Sequence, residues 1–224
     1  KSEIVKPYYY SVYLADYDVT TEMTATERAA HFQFTFPENA QSSIVVDAFD
    51  KGSYVKIIPS ENKIIGYTTR NNGGVPENFK NYFVLIFDKP FDLSTTWQGK
   101  SLEKGKLEIL SDHAGAVVGF KTKKGEKVNV KVASSFISFE QAELNLQREL
   151  GTGSFEQTVA EYKKEWNKVL GKVTIEGGTD EQMQTFYSCL YRTACFPQKL
   201  YEVDSNKKIV HYSPYTGKIL PGYM

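Results

Sequence analysis

The residue types that carry hydrolytic, metal or phosphate chemistry are present in this sequence but scattered. His31, His113 and His211 stand alone, with no second His or Cys at ligand spacing, and no acidic loop follows the calcium-binding EF-hand pattern. Carboxylates cluster twice, as Asp16, Asp18 and Glu22 in LADYDVTTE and as Asp47 and Asp50 in VDAFDKG. Solvated strand faces and turns account for such groups; a cation site is the alternative. No G-x-S-x-G element occurs and nothing marks a Cys–His pair. GTGSF at 151–155 has the look of a phosphate-cradling loop, but it lacks the Lys of a P-loop and joins helix to helix, so it reads as a helix stop and start. Glu161 and Glu165, among Lys163, Lys164 and Lys168, make a charged solvent face rather than a catalytic pair. Trp97 sits in STTWQGK, read as a polar loop, where an indole either packs at an edge or stacks on a sugar ring; packing is the plainer account. Composition and motifs alone place no active site in the chain.

The bulk properties narrow the partners. Lys and Arg number 27 and Asp and Glu also 27, so no net field draws the chain to nucleic acid or an anionic membrane. No apolar run reaches the roughly 20 residues of a transmembrane helix. Cys189 and Cys195, six apart on one helix, point away from each other and are not expected to pair. The abrupt termini, from Lys1 to KILPGYM, lead us to expect a piece of a longer protein.

The elements that must position any site fall into two regimes. From Tyr8 to about Ile137 the pattern is of short alternating strands, as in YYYSVYLADYD and HFQFTFP, then SSIVVDAFD, SYVKIIPS, NKIIGYTT, NYFVLIFDKPF, GAVVGFKT and KVNVKVASSF. The last two suggest a hairpin around KKGE. This series predicts an antiparallel β-sandwich. At Ser138 the period becomes helical, with apolar stripes on Phe139, Ala142, Leu146 and Leu150, on Phe155, Val159, Tyr162, Trp166 and Val169, and on Met183, Phe186, Tyr187, Leu190 and Ala194. The tetrapeptide SFEQ opens the first two helices, at Ser138 and Ser154. Both copies read as capping boxes, as does Thr179 to Gln182 before the third. A short strand is expected in KVTIEGG. The third helix should end near Phe196–Pro197, with a Tyr-rich loop after it.

Three stretches together resemble glycoside hydrolase family 92, the exo-acting α-mannosidases. They are Ser135-Phe136-Ile137-Ser138 with Ala142, Asn145-Leu146 and Glu149; Tyr9 to Pro37; and Trp166 to Gln198. The resemblance implies a sandwich over 1–137, a two-helix linker over 138–172 and, over 173–224, the start of an (α/α)6 catalytic barrel. It further implies an inverting enzyme that uses calcium to release terminal α-linked mannose from glycans, exported to a bacterial periplasm or cell surface. The family's Trp-Asp-Thr-[FY]-Arg motif and its catalytic carboxylates would lie after Met224, and its Gly-rich aromatic motif before Lys1. No catalytic or calcium-binding residue is therefore transferred to this chain, which by itself should be silent and need the remainder of its own catalytic domain. By their order after the first barrel helix, Tyr215 and Tyr223 are nominated as substrate contacts. The alternative is a non-catalytic sandwich that binds carbohydrate or a partner protein through Trp97 and surface tyrosines.

Overall fold

The computed structural model describes residues 2–196 and 198–224. Thirteen strands among them precede the first helix: β1 (Glu3–Lys6), β2 (Tyr9–Leu14), β3 (Val19–Ala25), β4 (Ala29–Phe36), β5 (Asn39–Asp47), β6 (Ser53–Ile58), β7 (Lys63–Thr68), β8 (Asn81–Phe87), β9 (Leu93–Gln98), β10 (Ser101–Glu103), β11 (Glu108–Ser111), β12 (Ala114–Thr122) and β13 (Glu126–Ser135). Helices α1 (Phe139–Glu149), α2 (Phe155–Leu170) and α3 (Asp180–Ala194) follow, then β14 (Tyr201–Val203), β15 (Ile209–Tyr212) and β16 (Ile219–Pro221).

The strands form the expected antiparallel sandwich. One sheet has the order β1-β2-β3-β4-β13-β8-β7-β6-β11, the other β10-β9-β12-β5. Alternating apolar residues meet between them: Val55, Ile57, Ile64, Phe87, Ala116, Val118, Phe120, Val128 and Val130 are all buried in one cluster. Burying each Val, Ile or Phe contributes roughly 1.5–3 kcal/mol, so this layer dominates the stability of the domain. Gly115 lets the sheet close tightly. A Cβ at that position would collide with the Val46 carbonyl and the Trp97 ring.

Four local expectations are corrected. β12 and β13 do not pair as a hairpin: β12 lies between β5 and β9 and β13 between β4 and β8, so the KKGE turn carries the chain from one sheet to the other. Both are central strands with two neighbours already, leaving neither an edge for the other. STTWQGK is not a loop, since Leu93–Gln98 is β9. KVTIEGG forms no strand; Lys172–Gly178 has no strand beside it to complete a ladder, and Gly177 and Gly178 both take left-handed backbone angles. The Tyr-rich loop is a three-stranded antiparallel meander, β14-β15-β16. Within the described residues α3 ends at Ala194, and Pro197 lies outside them.

Helix α1 and the start of α2 lie on the outer face of the large sheet. Leu146 and Leu150 of α1 pack with Ala29 and Ala133, and Phe139 sits in an aromatic nest with Tyr82, ring centroids 4.9 Å apart, Tyr67 and Tyr54. α2 begins over β4, its Phe155 edge-on to His31 at 5.4 Å. α3 has no fully buried residue; it touches α2 through Tyr191 and Trp166 at 4.9 Å, and its apolar stripe is only half covered. Cys189 and Cys195 are free thiols.

His31 is 2 % exposed. The Thr158 hydroxyl donates to the Ser154 carbonyl at 3.0 Å, so its lone pair faces His31 Nδ1 at 3.5 Å, and Nε2 is left without a partner. Burial first, and Lys131 second, push this imidazole down from 6.5 to about 4, against smaller opposing effects of Asp88 and Glu156. Between pH 6.5 and about 4 the unfolded chain binds a proton at this site that the folded chain refuses, so this contribution to stability is lost as pH falls through that window. Urea midpoints measured from pH 7 to 4 should fall, and His31→Gln should flatten the part of the decline that lies above pH 5, where carboxylates contribute little.

Candidate functional site

The last strand of the sandwich ends in Ser134-Ser135. Three residues later the Ser138 hydroxyl accepts from Gln141 N and caps α1. Only half of a capping box forms there. The Gln141 side chain, which a box would turn back to the cap, points inward and donates from Nε2 to Asn145 Oδ1 (3.0 Å) and to the Val203 carbonyl (2.8 Å). The boxes at Ser154 and Thr179 are complete. The first SFEQ therefore does more than start a helix, and what draws its Gln away is the meander.

Glu202, the middle residue of β14, is 3 % exposed. Its Oε1 accepts from Ser135 Oγ and Phe136 N, both at 3.0 Å, and its Oε2 from Asn145 Nδ2 at 2.7 Å. Asn145 Nδ2 also donates to the Ser134 carbonyl at 3.0 Å, and Ser135 Oγ accepts from Ile137 N at 2.9 Å. Helical spacing puts Gln141, Asn145 and Arg148 on one face of α1. Arg148 completes the row by donating to the carbonyls of Val203 and Asp204. One buried carboxylate thus joins the sandwich end, the linker helix and the meander.

Two further joints hold the meander. Arg28, in the β3–β4 turn, donates to the Lys199 and Tyr201 carbonyls, and Lys199 pairs with Glu27. On the other side Asn78 donates from Nδ2 to the Gly217 carbonyl at 2.8 Å and accepts from the buried Tyr212 hydroxyl at 3.1 Å. Gly217 has φ +69°, and a Cβ there would strike Asn78 Oδ1, so both backbone angle and space call for glycine.

This arrangement positions rather than reacts. Every oxygen of Glu202 is occupied by groups of its own chain, and the one hydroxyl among them, Ser135 Oγ, is buried and gives its proton to the carboxylate. The nominated tyrosines lie on the surface that it holds. Tyr215 is 85 % exposed, in the β15–β16 turn; Tyr223 is 72 % exposed, past β16, edge-on to Tyr201 at 4.8 Å. The β15–β16 register, Tyr212 with Ile219 and Val210 with Pro221, puts them at opposite ends of that pair, so the fold does not bring them together.

Of the remaining candidates Asp16 is exposed, and the others have ordinary partners. Asp18 and Glu22 accept from the hydroxyls of Tyr13 and Tyr9 at 2.8 and 2.7 Å, Asp50 pairs with Arg70, and Asp47 meets His113 Nε2 at 2.8 Å. Among the described residues no three His, Cys, Asp or Glu side chains come together to hold a metal ion. Trp97 is half-buried, donates its indole N–H to the Val46 carbonyl at 3.2 Å and packs edge-on to His113, which spends its polar edge on the scaffold. Glu202 was missed at the level of sequence because its strand was read as loop. A signal existed: YEV and IVHY flank the turn-forming DSNKK, a hairpin pattern.

Removing the carboxylate tests the joint. Glu202→Ala strands three buried donors and should cost about 3–5 kcal/mol. It should also free the meander to proteolysis after Lys199 before the sandwich unfolds. Limited trypsin digestion read by mass spectrometry, beside a thermal melt, checks both.

Residues 1–135 match the N-terminal domain of glycosyl hydrolase family 92, and residues 141–223 match that family's catalytic domain. Among solved structures, an inverting mannosidase of the same family from Bacteroides thetaiotaomicron is 43% identical, with a TM-score of 0.95 over 99% of this chain and 30% of its own. A family 92 α-mannosidase from the same organism, solved with mannoimidazole, is 29% identical, with a TM-score of 0.85 over 98% of this chain and 29% of its own. An uncharacterized secreted glycosidase of Arthroderma benhamiae is 26% identical over 219 residues, 86% of this chain and 28% of that protein. The chain thus spans under a third of each of these relatives. It belongs to glycosyl hydrolase family 92, carrying that family's N-terminal domain and the start of its catalytic domain.

Proposed function

We propose that the whole protein is an exo-acting α-mannosidase that releases terminal α-linked mannose from glycans with inversion at the anomeric carbon. The observation that carries this reading is the 43% identity, along 99% of the chain, to an inverting mannosidase. Inverting hydrolysis needs an acid and a base about 6.5–9.5 Å apart with a water between them. We assign both to the catalytic domain beyond Met224. We assign the ligands of the calcium that the family resemblance implies to the same part of the protein.

On this reading residues 1–137 are the sandwich, 138–172 the linker and 173–224 the opening of an (α/α)6 barrel. The half-covered stripe of α3 is the face that further barrel helices would bury. The chain's own residues supply position: the Glu202 joint sets the meander, whose opposite ends carry Tyr215 and Tyr223, the substrate contacts of this reading. The secreted relative supports export, and we propose a bacterial periplasm or cell surface as the destination; among the described residues no helix is long and apolar enough to cross a membrane.

Two measurements follow. The 224 residues alone, given an aryl α-mannoside and calcium, should show no turnover above a heat-killed control; turnover would place catalytic groups inside this chain and overturn the assignment. In the whole enzyme Tyr215→Ala or Tyr223→Ala should raise KM about three- to tenfold, the equivalent of the roughly 0.5–1.5 kcal/mol of an aromatic contact. Unchanged kcat and KM would remove that tyrosine from the site.

A further inference from the structure

The two sheets of the sandwich are unequal, and the difference leaves a groove. The four-stranded sheet faces the β6–β11 end of the large one, through contacts of β12 and β9 with β6 and β11. It stops at β5, which pairs with β12 on one side only and is the last strand of its sheet. Beyond β5 no strand among the described residues lies above the inner face of β2–β4. Two adjoining pockets of about 310 and 420 Å³ run along this edge, sharing Phe34, Ile44 and Val45. The floor is apolar, with Phe32, Phe34, Val130 and Val132 in one half and Val19 and Phe36 in the other.

We propose that this groove is filled, in the whole protein, by polypeptide on the N-terminal side of Ser2, which adds to β5 as an antiparallel strand and completes the small sheet. Three observations select this occupant. First, β5 offers a nine-residue edge whose outer N–H and C=O groups lack a neighbouring strand, the condition that a β-strand satisfies and a helix or a small molecule does not. Second, the chain enters β1 at the groove's mouth: the Ser2 carbonyl accepts from Tyr13 N at 3.0 Å, next to Leu14, which with the exposed Tyr17 lines that end. Third, the mouth lies beside the first half of β5 (Asn39 to Ser43) and the far end beside Val46 and Asp47. A segment that runs through the groove and out to Ser2 therefore travels opposite to β5, the direction that antiparallel pairing requires. At about 3.3 Å per residue, eight or nine residues cover that edge. Alternate side chains would be apolar, to meet Phe32, Phe34 and Val132. The relatives, of which this chain spans about 30%, have ample length for such a segment.

Amide hydrogen exchange on the whole protein tests this. If the strand is present, peptides covering 39–47 should exchange as slowly as those covering the central strand 114–122; if they exchange as fast as the opposite edge strand, 101–103, the proposal fails. Deleting all residues before Ser2 should accelerate 39–47 at least tenfold while 126–135 stays protected; no change in 39–47 would mean that another part of the protein covers the edge and would overturn the proposal. Protection of 39–47 that disappears on dilution, together with a fall from dimer to monomer mass, would identify a second copy as the occupant and equally overturn it. Should the deletion unfold the domain, a photo-crosslinker at Val45 (Val45→p-benzoylphenylalanine) in the whole protein decides. Crosslinks to sequence N-terminal of Ser2 support the inference, and crosslinks to any other region refute it.

Discussion

A carboxylate removed from water must be given back what water supplied, and at Glu202 three donors from two other segments do so. Desolvating such a group without partners costs several kcal/mol, so β14 can take only the register and tilt that bring Ser135 Oγ, Phe136 N and Asn145 Nδ2 to its two oxygens. The last residues of the sandwich, the first helix of the linker and the first strand of the meander are thereby fixed to one point. Apolar packing alone would be more permissive, because it has no direction. The joint is directional, and its other bonds, from Gln141 and Arg148 to the carbonyls of Val203 and Asp204, hold the backbone just beyond the carboxylate.

The layers around the joint follow from what each face can bury. The large sheet is covered on its inner side by the small sheet over one half and on its outer side by α1 and the start of α2. The helix stripes therefore have different fates. Leu146 and Leu150 close onto Ala29 and Ala133, where small side chains let the helix approach. Among the described residues the stripe of α3 meets α2 through Tyr191 and Trp166, and its Tyr187 hydroxyl donates to the Val173 carbonyl between the two helices. An amphipathic helix with its apolar face half open is a helix awaiting a neighbour, as the first helix of a barrel would be.

Much of this was legible in the sequence, where period and capping speak for themselves. The switch from alternation to helical spacing at Ser138 fell where β13 gives way to α1. Long-range pairing was less legible. KKGE has the chemistry of a hairpin turn, but turn chemistry fixes only local geometry. The strands it joins pair with β5 and β9 on one side and β4 and β8 on the other, partners up to about a hundred residues away. STTWQGK looked polar and was read as loop. It is a strand because its backbone pairs with β12 and β10, and the buried hydroxyls of Thr95 and Thr96 are satisfied by the carbonyls of Glu103, at the end of β10, and Lys106, just after it, a bond pattern invisible to hydropathy. Glu202 escaped for the same reason: a single acidic residue in a short strand is written like any surface glutamate, and its burial is decided by donors that arrive from 57 to 67 residues away.

The tetrapeptide SFEQ shows how one sequence can serve two purposes. At Ser154 the Gln closes a capping box, its Oε1 accepting from Ser154 N at 2.8 Å. At Ser138 the same Gln is released to Asn145 and Val203, and the cap keeps only its serine bond. The residues that carried the family likeness turn out to be the ones that dock α1. Ala142 and Leu146 are buried against the sheet, Asn145 bridges Glu202 and Ser134, and Glu149 accepts from Arg28 N and Thr26. Each faces a different neighbour: sheet, meander and the β3–β4 turn. A helix whose apolar row, amide and terminal carboxylate are each claimed by a separate element cannot slide or rotate without breaking one of them. A motif this short therefore fixes the position of α1 against all three neighbours at once.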